Sequence, residues 1–351
     1  MKKAIIIISL FAAVALASPW DMVGAMYSGK IKSVKAQDDA LYGVTFNRSG
    51  TRMWTVGPTN DTVMQWNLST AFDVTTAAWS SKDGCLVNGK ETSPVTVFFS
   101  SDEKHFYVTG NVGRSVNQYG LSVAGDVSTC VFEGSASLSG YDTAPYSLWF
   151  NNSGTMMYFA GNTNKKIFEF ALTTAWNIST LAYRGSSSAF PFSPYGIAVS
   201  EDGKKILVSD GSYVYNYMTL NPWNTTGSNL MYTGKNLYVN AQSSAIGVYV
   251  NSTGTGMYTA GNSNDSVVQY NFTAQAASTC TPTASQNWFI DCEDDCVVSG
   301  QVYDVKNISF WGAGRIDFQH TNVSYDFREY AENCIVTTTE DSVFEGRMRP
   351  T

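Results

Sequence analysis

Histidine is nearly absent, with only His105 and His320, and charged residues make up 15% of the chain against roughly 25% in ordinary soluble proteins. Scarcity of imidazole weighs against Ser-His-Asp or Cys-His hydrolysis, which needs a base beside its nucleophile. Basic residues are outnumbered: 22 Lys and Arg face 29 Asp and Glu, for a net charge of −7. The balance becomes more negative still if Lys2 and Lys3 leave with a leader. Nucleic acid and anionic membrane are therefore poor partners. Past the N terminus, no apolar run approaches the ~18 residues that crossing a bilayer requires. Close Cys/His pairs are also lacking, since Cys292-x3-Cys296 has no second pair to complete it. Zinc is not expected.

Turn and strand formers are plentiful instead: Gly 29, Tyr 20 and Phe 19, with apolar residues at 44%. That mixture suits short strands joined by polar corners and supplies ample core. Residues 1–17 read as an export leader. Met1-Lys2-Lys3 is the positive start, Ala4 to Ala13 is apolar apart from Ser9, and Ala15-Leu16-Ala17 fits small-residue cleavage. An uncleaved N-terminal anchor is the alternative. Six cysteines (Cys85, Cys130, Cys280, Cys292, Cys296 and Cys334) make the even count that disulfides in an oxidising compartment need. Cys85 and Cys130 are expected to bridge neighbouring outer strands or loops, and the four C-terminal cysteines to pair among themselves.

Self-comparison exposes five repeats. They open at Val44-Thr-Phe-Asn-Arg-Ser-Gly50, Val97-Phe-Phe-Ser-Ser-Asp-Glu103, Leu148-Trp-Phe-Asn-Asn-Ser-Gly154, Ile197-Ala-Val-Ser-Glu-Asp-Gly203 and Val248-Tyr-Val-Asn-Ser-Thr-Gly254, spaced 53, 51, 49 and 51 residues apart. Each is an apolar strand running into a tight corner, and a second strand follows. A third strand recurs as Val63-Met-Gln-Trp66, Val116-Asn-Gln-Tyr119, Ile167-Phe-Glu-Phe170, Val214-Tyr-Asn-Tyr217 and Val267-Val-Gln-Tyr270. A fourth recurs in the first four units, for example Met231-Tyr-Thr-Gly234. Four short strands per ~50 residues indicate an all-β β-propeller. Unit five lacks its fourth strand, and Met26-Tyr-Ser-Gly29 matches the missing one. The reading is five four-stranded blades over residues 18–275, with an N-terminal strand closing the last. A six-bladed ring that recruits the C-terminal region is the alternative.

Stretches such as Pro194-Tyr-Gly-Ile-Ala-Val-Ser-Glu-Asp-Gly203-Lys-Lys-Ile-Leu-Val208 resemble the YVTN/NHL-type extracellular propellers of archaeal surface layers and bacterial surface proteins. The pattern Gln65-Trp-Asn-Leu-Ser-Thr-Ala-Phe-Asp73 looks like propeller repeats of secreted and phage-associated structural proteins. The resemblance covers about residues 26–275, and Tyr107-Val-Thr-Gly110 is its nearest approach to a literal YVTN string. It implies a fold and no particular activity. Residues 276–351 read as a small disulfide-containing β-rich domain, the opening of a parallel β-helix or a sandwich. Trp288-Phe-Ile-Asp-Cys292 is similar to openings of secreted microbial β-rich proteins. Met348-Arg-Pro-Thr351 carries no anchor, so the chain is read as a candidate fragment of a longer protein.

Asp291, Glu293, Asp294 and Asp295 offer oxygens to Ca²⁺, but without EF-hand spacing they read as a solvated acidic turn. No cofactor is expected. Eleven glycosylation sequons stand at Asn47, Asn60, Asn67, Asn151, Asn177, Asn224, Asn251, Asn264, Asn271, Asn307 and Asn322. Seven of them fall on the face holding the first-to-second and third-to-fourth corners. The opposite face carries long loops with Tyr141, Phe190, Phe192 and Tyr238, beside the corner residues Asn111, Asn162 and Asn262. Exposed aromatics next to amides suit stacking on a sugar or a protein; the competing reading is that these rings plug the channel. The expected function is a secreted or surface-attached structural or adhesive glycoprotein that binds a glycan or an extracellular protein. A lactonase- or glycosidase-type propeller enzyme and a self-assembling filament or sheath subunit are the alternatives.

Overall fold

The computed structural model describes Trp20, Met22 and residues 25–80, 84–239 and 244–272, followed by strands and a single further residue, Thr321, between 287 and 348. The leader, Cys280, Cys292, Cys296 and His320 lie outside the described residues. The chain divides into two compact units, one of residues 19–273 and one that includes 274–351.

The larger unit is a five-bladed propeller. From the axis outward, blade one runs Gly43–Phe46, Arg52–Val56, Thr62–Leu68 and Ala77–Trp79, and Cys85–Leu86 adds a short outer pairing. Blade two is Pro94–Phe99, His105–Gly110, Ser115–Leu121 and Cys130–Ser137; blade three is Pro145–Phe150, Met156–Gly161, Lys166–Leu172 and Leu181–Ser186. Blade four is Gly196–Val199, Lys205–Ser209, Tyr213–Thr219 and Leu230–Tyr238. Blade five takes Gly247–Val250, Gly256–Gly261 and Ser266–Phe272 from one end of the unit, and its outer strand, Ala25–Ser33, from the other. The expected closure is therefore found, and the six-bladed alternative is not. Gly29, Gly185 and Gly234 hold positive φ where the outer strands of blades five, three and four bulge against their partners. The recurring glycine of the fourth strand is thus a bulge residue.

The core lies between blades, in five apolar clusters, one per interface. Strand alternation explains why both faces of each strand are apolar. In blade one, Met53 enters the cluster shared with blade five, and Trp54 and Val56 enter the one shared with blade two. The disulfide Cys85–Cys130 ties the outer edge of blade one to that of blade two, with a Cα–Cα distance of 6.0 Å.

A second set of contacts clamps neighbouring blades. The glutamine of the third strand reaches the next blade's short 3₁₀ turn: Gln65 accepts from the Val127 amide, Gln118 from Ile178 and Gln269 from Val74, at 3.1–3.4 Å. Blade three has Glu169 in this role, fully buried, accepting from the Thr225 amide at 2.8 Å with the Arg184 guanidinium 3.4 Å away. One aromatic per corner completes the clamp. Phe72, Trp176 and Trp223, at positive φ, cover Gly50, Gly154 and Gly203 so closely that a Cβ there would fall 2.3–2.4 Å from the ring. The Trp20 amide donates to Gly254 at 2.8 Å, as Phe72, Trp176 and Trp223 donate to their glycines. The clamp therefore begins at Trp20, before the closing strand. Blade two inverts the pair, with Glu103 in the glycine position and Gly125 in the aromatic one, and Arg52 fills the gap, 2.6 Å from Glu103.

In the smaller unit, Asn287–Asp291, Asn307–Trp311, Asn322–Glu329, Val302–Asp304 and Val343–Met348 form one sheet. Val297–Ser299, Gly314–Gln319 and Cys334–Thr338 form another, and every pairing in both sheets is parallel. Partners such as Asn287 and Asn307, or Val297 and Asp317, are one coil apart in sequence. That is the pairing of a parallel β-helix, with Val298, Ile316, Phe318 and Val323 buried.

Candidate functional site

The propeller axis is lined by alternate residues of the five inner strands. One layer is Gly43, Thr96, Ser147, Gly196 and Gly247. Here the backbones approach so closely that a Cβ on Gly43, Gly196 or Gly247 would lie 2.5–2.8 Å from a neighbouring carbonyl. The next layer is Thr45, Phe98, Trp149, Ala198 and Tyr249. Phe98 meets Trp149 edge-on at 5.2 Å, and Trp149 lies 6.1 Å from Tyr249. The space left between these layers is about 10 Å³, room for about one water and nothing larger. The three rings close the axis to any larger solute.

Two mouths remain. On the face of the first-to-second corners, a bowl of about 90 Å³ is lined by Asn47, Asn151, Asn251, Trp149 and Trp176, with Arg48 and Glu201 paired across it at 3.0 Å. A small-molecule pocket usually needs 300 Å³ or more. The bowl's three asparagines are buried and occupied in their own turns. Asn151 Oδ1 accepts from the amides of Thr155 (2.9 Å) and Met156 (3.0 Å), and its Nδ2 donates to Thr155 Oγ1; Asn251 repeats the pattern, and Asn47 accepts from the Arg52 amide and donates to Thr51 Oγ1 and Glu103 Oε1. These three sequons are therefore corner residues in the folded chain. Asn60, Asn67, Asn264 and Asn271 are exposed, Asn177 and Asn224 half-buried. Asn177 caps a 3₁₀ turn through Ser179. Asn307 and Asn322 each open a strand of the smaller unit.

The other mouth brings together residues that the repeats place alike. Tyr42, Tyr146 and Tyr195 stand immediately before the axial layer of blades one, three and four, half-buried, with the rings of Tyr146 and Tyr195 at 5.0 Å. Asn111, Asn162 and Asn262 are the corners of blades two, three and five, each one blade before a tyrosine. Asn262 Nδ2 donates to the Tyr42 hydroxyl at a long 3.5 Å. Burial raises the Tyr146 phenol above its ordinary pKa, and a hydrogen bond from Asn111 partly offsets this. Asn111 Oδ1 and Asn162 Nδ2 are buried without a protein partner, leaving one acceptor and one donor unspent here.

The loop aromatics sit elsewhere. Phe190 is 6% exposed and packs edge-on to Tyr217 at 5.2 Å, so it presents no contact surface and plugs no channel. Phe192 stacks on Tyr215 at 4.3 Å, and Tyr141 packs against Phe170 and Tyr183 in blade three. Tyr238 is exposed, as expected, on the outer strand of blade four. Sequence reasoning missed Tyr42, Tyr146 and Tyr195, although each lies two residues before the first aligned apolar residue of its unit. His105 lies 3.6 Å from Glu133 on a framework strand. Among the described residues, no group of three or more His, Cys, Asp or Glu is arranged to hold a metal ion, and no helix is long and apolar enough to cross a membrane. Asp291 ends a strand, and the acidic residues after it lie outside the described residues.

No protein-family model matches the chain, and no curated protein matches it. Among solved structures it is similar to a putative 6-phosphogluconolactonase from Bacteroides uniformis (13% identity, TM-score 0.41, covering 58% of this chain and 56% of that one). It is likewise similar to a functionally unknown protein from Desulfotomaculum acetoxidans (15%, TM-score 0.41, 64% and 66%). A third is the periplasmic gluconolactonase of Pseudomonas aeruginosa (15%, TM-score 0.40, 59% and 57%). The chain thus spans less than two thirds of the length of each.

Proposed function

We propose that this chain is a secreted or surface-attached binding scaffold, a structural or adhesive protein whose propeller holds a glycan or an extracellular protein. The observation that carries the reading is the closed axis. Phe98, Trp149 and Tyr249 leave no chamber on the axis in which a small substrate would be enclosed and shielded from water; the roomier cleft, about 470 Å³, lies off the axis between the outer strand of blade two and the 3₁₀ turn of blade three, beside His105 and Glu133. Five interblade clusters, the corner clamps and the Cys85–Cys130 bridge supply the rigidity that a binding platform needs. The Tyr42, Tyr146 and Tyr195 mouth, with its unspent amide groups, is the contact region. The disulfide and the leader-like N terminus support an extracellular or periplasmic setting.

The test pairs two assays on the intact chain. Labelled protein is applied to a glycan array and to immobilised extracellular proteins, and the same preparation is incubated with δ-gluconolactone and 6-phosphogluconolactone. Binding that is weakened by joint Tyr146→Ala and Tyr195→Ala substitution, without lactone turnover, supports the scaffold. Saturable lactone hydrolysis that the same substitutions abolish would replace it with the lactonase-type enzyme.

A further inference from the structure

Every blade carries a framework aromatic near the end of its third strand: Trp66, Tyr119, Phe170, Tyr217 and Tyr270. In every blade it is faced by another ring on the outer strand: Trp79, Phe132, Tyr183, Tyr232 and Tyr27 in blades one to five. Blade four alone adds a second cross-strand ring pair. Its cross-strand pair Tyr213–Tyr238 occupies the register that is Ser115–Ser137 in blade two and Ser266–Ser33 in blade five. The next pair inward on the same face is Tyr215–Asn236, where blade two has Asn117–Ser135.

The rings are evenly stepped. Tyr238 lies 5.1 Å from Tyr213, Tyr213 6.0 Å from Tyr215, Tyr215 6.0 Å from Tyr232, and Tyr232 5.3 Å from Tyr217. Three of the five are open to solvent, Tyr213 at 38%, Tyr232 at 43% and Tyr238 at 56%. The other two are packed by loop rings: Phe192 stacks on half-buried Tyr215 at 4.3 Å, and Phe190 meets buried Tyr217 edge-on. The two loop phenylalanines are therefore supports of this line. Their polar edges are fixed too. The Tyr215 hydroxyl donates to Asp210 Oδ2 at 2.8 Å, and Asn236 Nδ2 donates to the Tyr232 hydroxyl at 2.9 Å. Asp210 Oδ1 already accepts from the amides of Ser212 and Tyr213, so its charge is spent inside the loop.

We infer that the outer face of blade four is a binding site for a neutral polysaccharide chain. Pyranose rings present C–H faces of slight positive charge, which suit the negative faces of exposed tyrosines, and their equatorial hydroxyls suit phenol and amide edges. A stepped line of separate rings with polar atoms between them matches a chain of repeated sugar units. A protein interface would call instead for a contiguous apolar centre. The absence of an uncommitted charge in the line selects a neutral chain over a uronate or sulfated one. Rings already packed in place lose little freedom on binding. This site is separate from the tyrosine mouth, and either can fail without the other.

Native gels cast with hydroxyethylcellulose, xylan, galactomannan or soluble starch test it directly. The intact protein should be retarded by at least one of the four. Joint Tyr213→Ala and Tyr238→Ala substitution should weaken that retardation by about tenfold or more. Both side chains are exposed, so the melting temperature should stay put. Tyr183→Ala, which removes a comparably exposed ring from blade three, should leave retardation unchanged. Absence of retardation in all four gels, or equal retardation of the double variant, overturns the inference.

Discussion

Asp38, Glu91 and Asp142 occupy the same place in three successive blades, before the inner strand and beneath the second-to-third corner. A Cβ on Gly57, Gly110 or Gly161 would come within 2.5–2.7 Å of the respective carboxyl group. Two of the three are well supplied with donors. Glu91 accepts from the amides of Ser93, Val112 and Gly113, and Asp142 from those of Ala144, Thr163 and Asn164. Asp38 accepts from Ala40 at 3.1 Å, while its Oδ2 is buried with no hydrogen-bond donor. Its corner starts Gly57-Pro58, where the others have Asn111 and Asn162. Burial first, then the nearby charges of Asp39, Asp265 and Asp61, pushes the Asp38 carboxyl up from 3.8 to about 6. A raised folded-state value means that the folded chain binds the proton more tightly than the unfolded one. Asp38 thus adds stability below about pH 4 and loses it as pH rises through about 6, a difference of roughly 3 kcal/mol. Asp38→Asn keeps the acceptor for Ala40 and replaces the unpartnered oxygen with a neutral donor. It should raise the unfolding free energy by roughly 1–3 kcal/mol at pH 7.5 and change little at pH 4. Asp142→Asn should instead destabilise at neutral pH, because its new amide group would face the donors of Thr163 or Asn164. Urea unfolding of both variants at the two pH values decides the matter. An Asp38→Asn gain that is equal at pH 4 and 7.5, or a loss at both, would refute the reasoning.

Removing the Cys85–Cys130 bridge as a double serine variant should cost roughly 2–4 kcal/mol by calorimetry, since it frees a 45-residue separation in the unfolded chain. Thiol titration of denatured, unreduced protein should find no free thiol among the six cysteines; two or more would contradict the C-terminal pairing. Trp176→Ala should cost roughly 3–5 kcal/mol in thermal unfolding, because it empties the hollow over Gly154. Gly125→Trp alone should destabilise blade two, and adding Glu103→Gly should recover much of the loss; a double variant no better than the single one would show that the corner clamp is not transferable. If the chain is expressed in a glycosylating host, glycopeptide mapping should find sugar on exposed Asn67 and Asn271 and none on buried Asn47, Asn151 and Asn251.

The ring was legible because a propeller repeats its instructions. Aligned corners counted the blades, and Met26-Tyr-Ser-Gly29 revealed the displaced strand, since the bulge glycine and the outer-strand aromatic two residues before it recur as a unit. Trp20 was legible as well, for Pro19-Trp20-Asp21 copies Pro222-Trp223-Asn224, but a single copy before the first blade draws no notice without the fold. The site was less legible. Phe190 and Phe192 lie in a Ser/Pro-rich loop, a context that normally means exposure, yet the loop packs against the third strand of blade four, burying Phe190 and half-burying Phe192. Sequence context records what is near along the chain, and burial of a loop ring depends on what is near across it. The turn asparagines misled for a related reason. The side-chain chemistry that makes Asn47, Asn151 and Asn251 sequons also makes them good corner residues, and in the fold the second use occupies the amide.

Departures from the repeat can be sorted by whether residues packed against them compensate. Glu103 replaces a glycine, but Gly125 replaces the aromatic that would collide with it, and Arg52 fills the vacated space. Glu169 replaces a glutamine, but Arg184 and the Thr225 amide and hydroxyl answer its charge. Both restore the packing they disturb, so both belong to the fold. Tyr213 and Tyr238 replace a serine pair at the solvent edge and restore nothing, because the serines of blades two and five complete their strands without rings. Asp38 is uncompensated in the opposite sense, a buried oxygen that its neighbours leave without a donor. Exposed apolar surface and an unanswered buried charge are both unfavourable in the free chain. In the tyrosine line three rings are exposed, with hydrogen-bonded edges and packed neighbours, a construction that folding alone does not require. The polysaccharide inferred above would use it, which is why this line, rather than the acidic cluster around Asp38, is the departure on which that inference is placed.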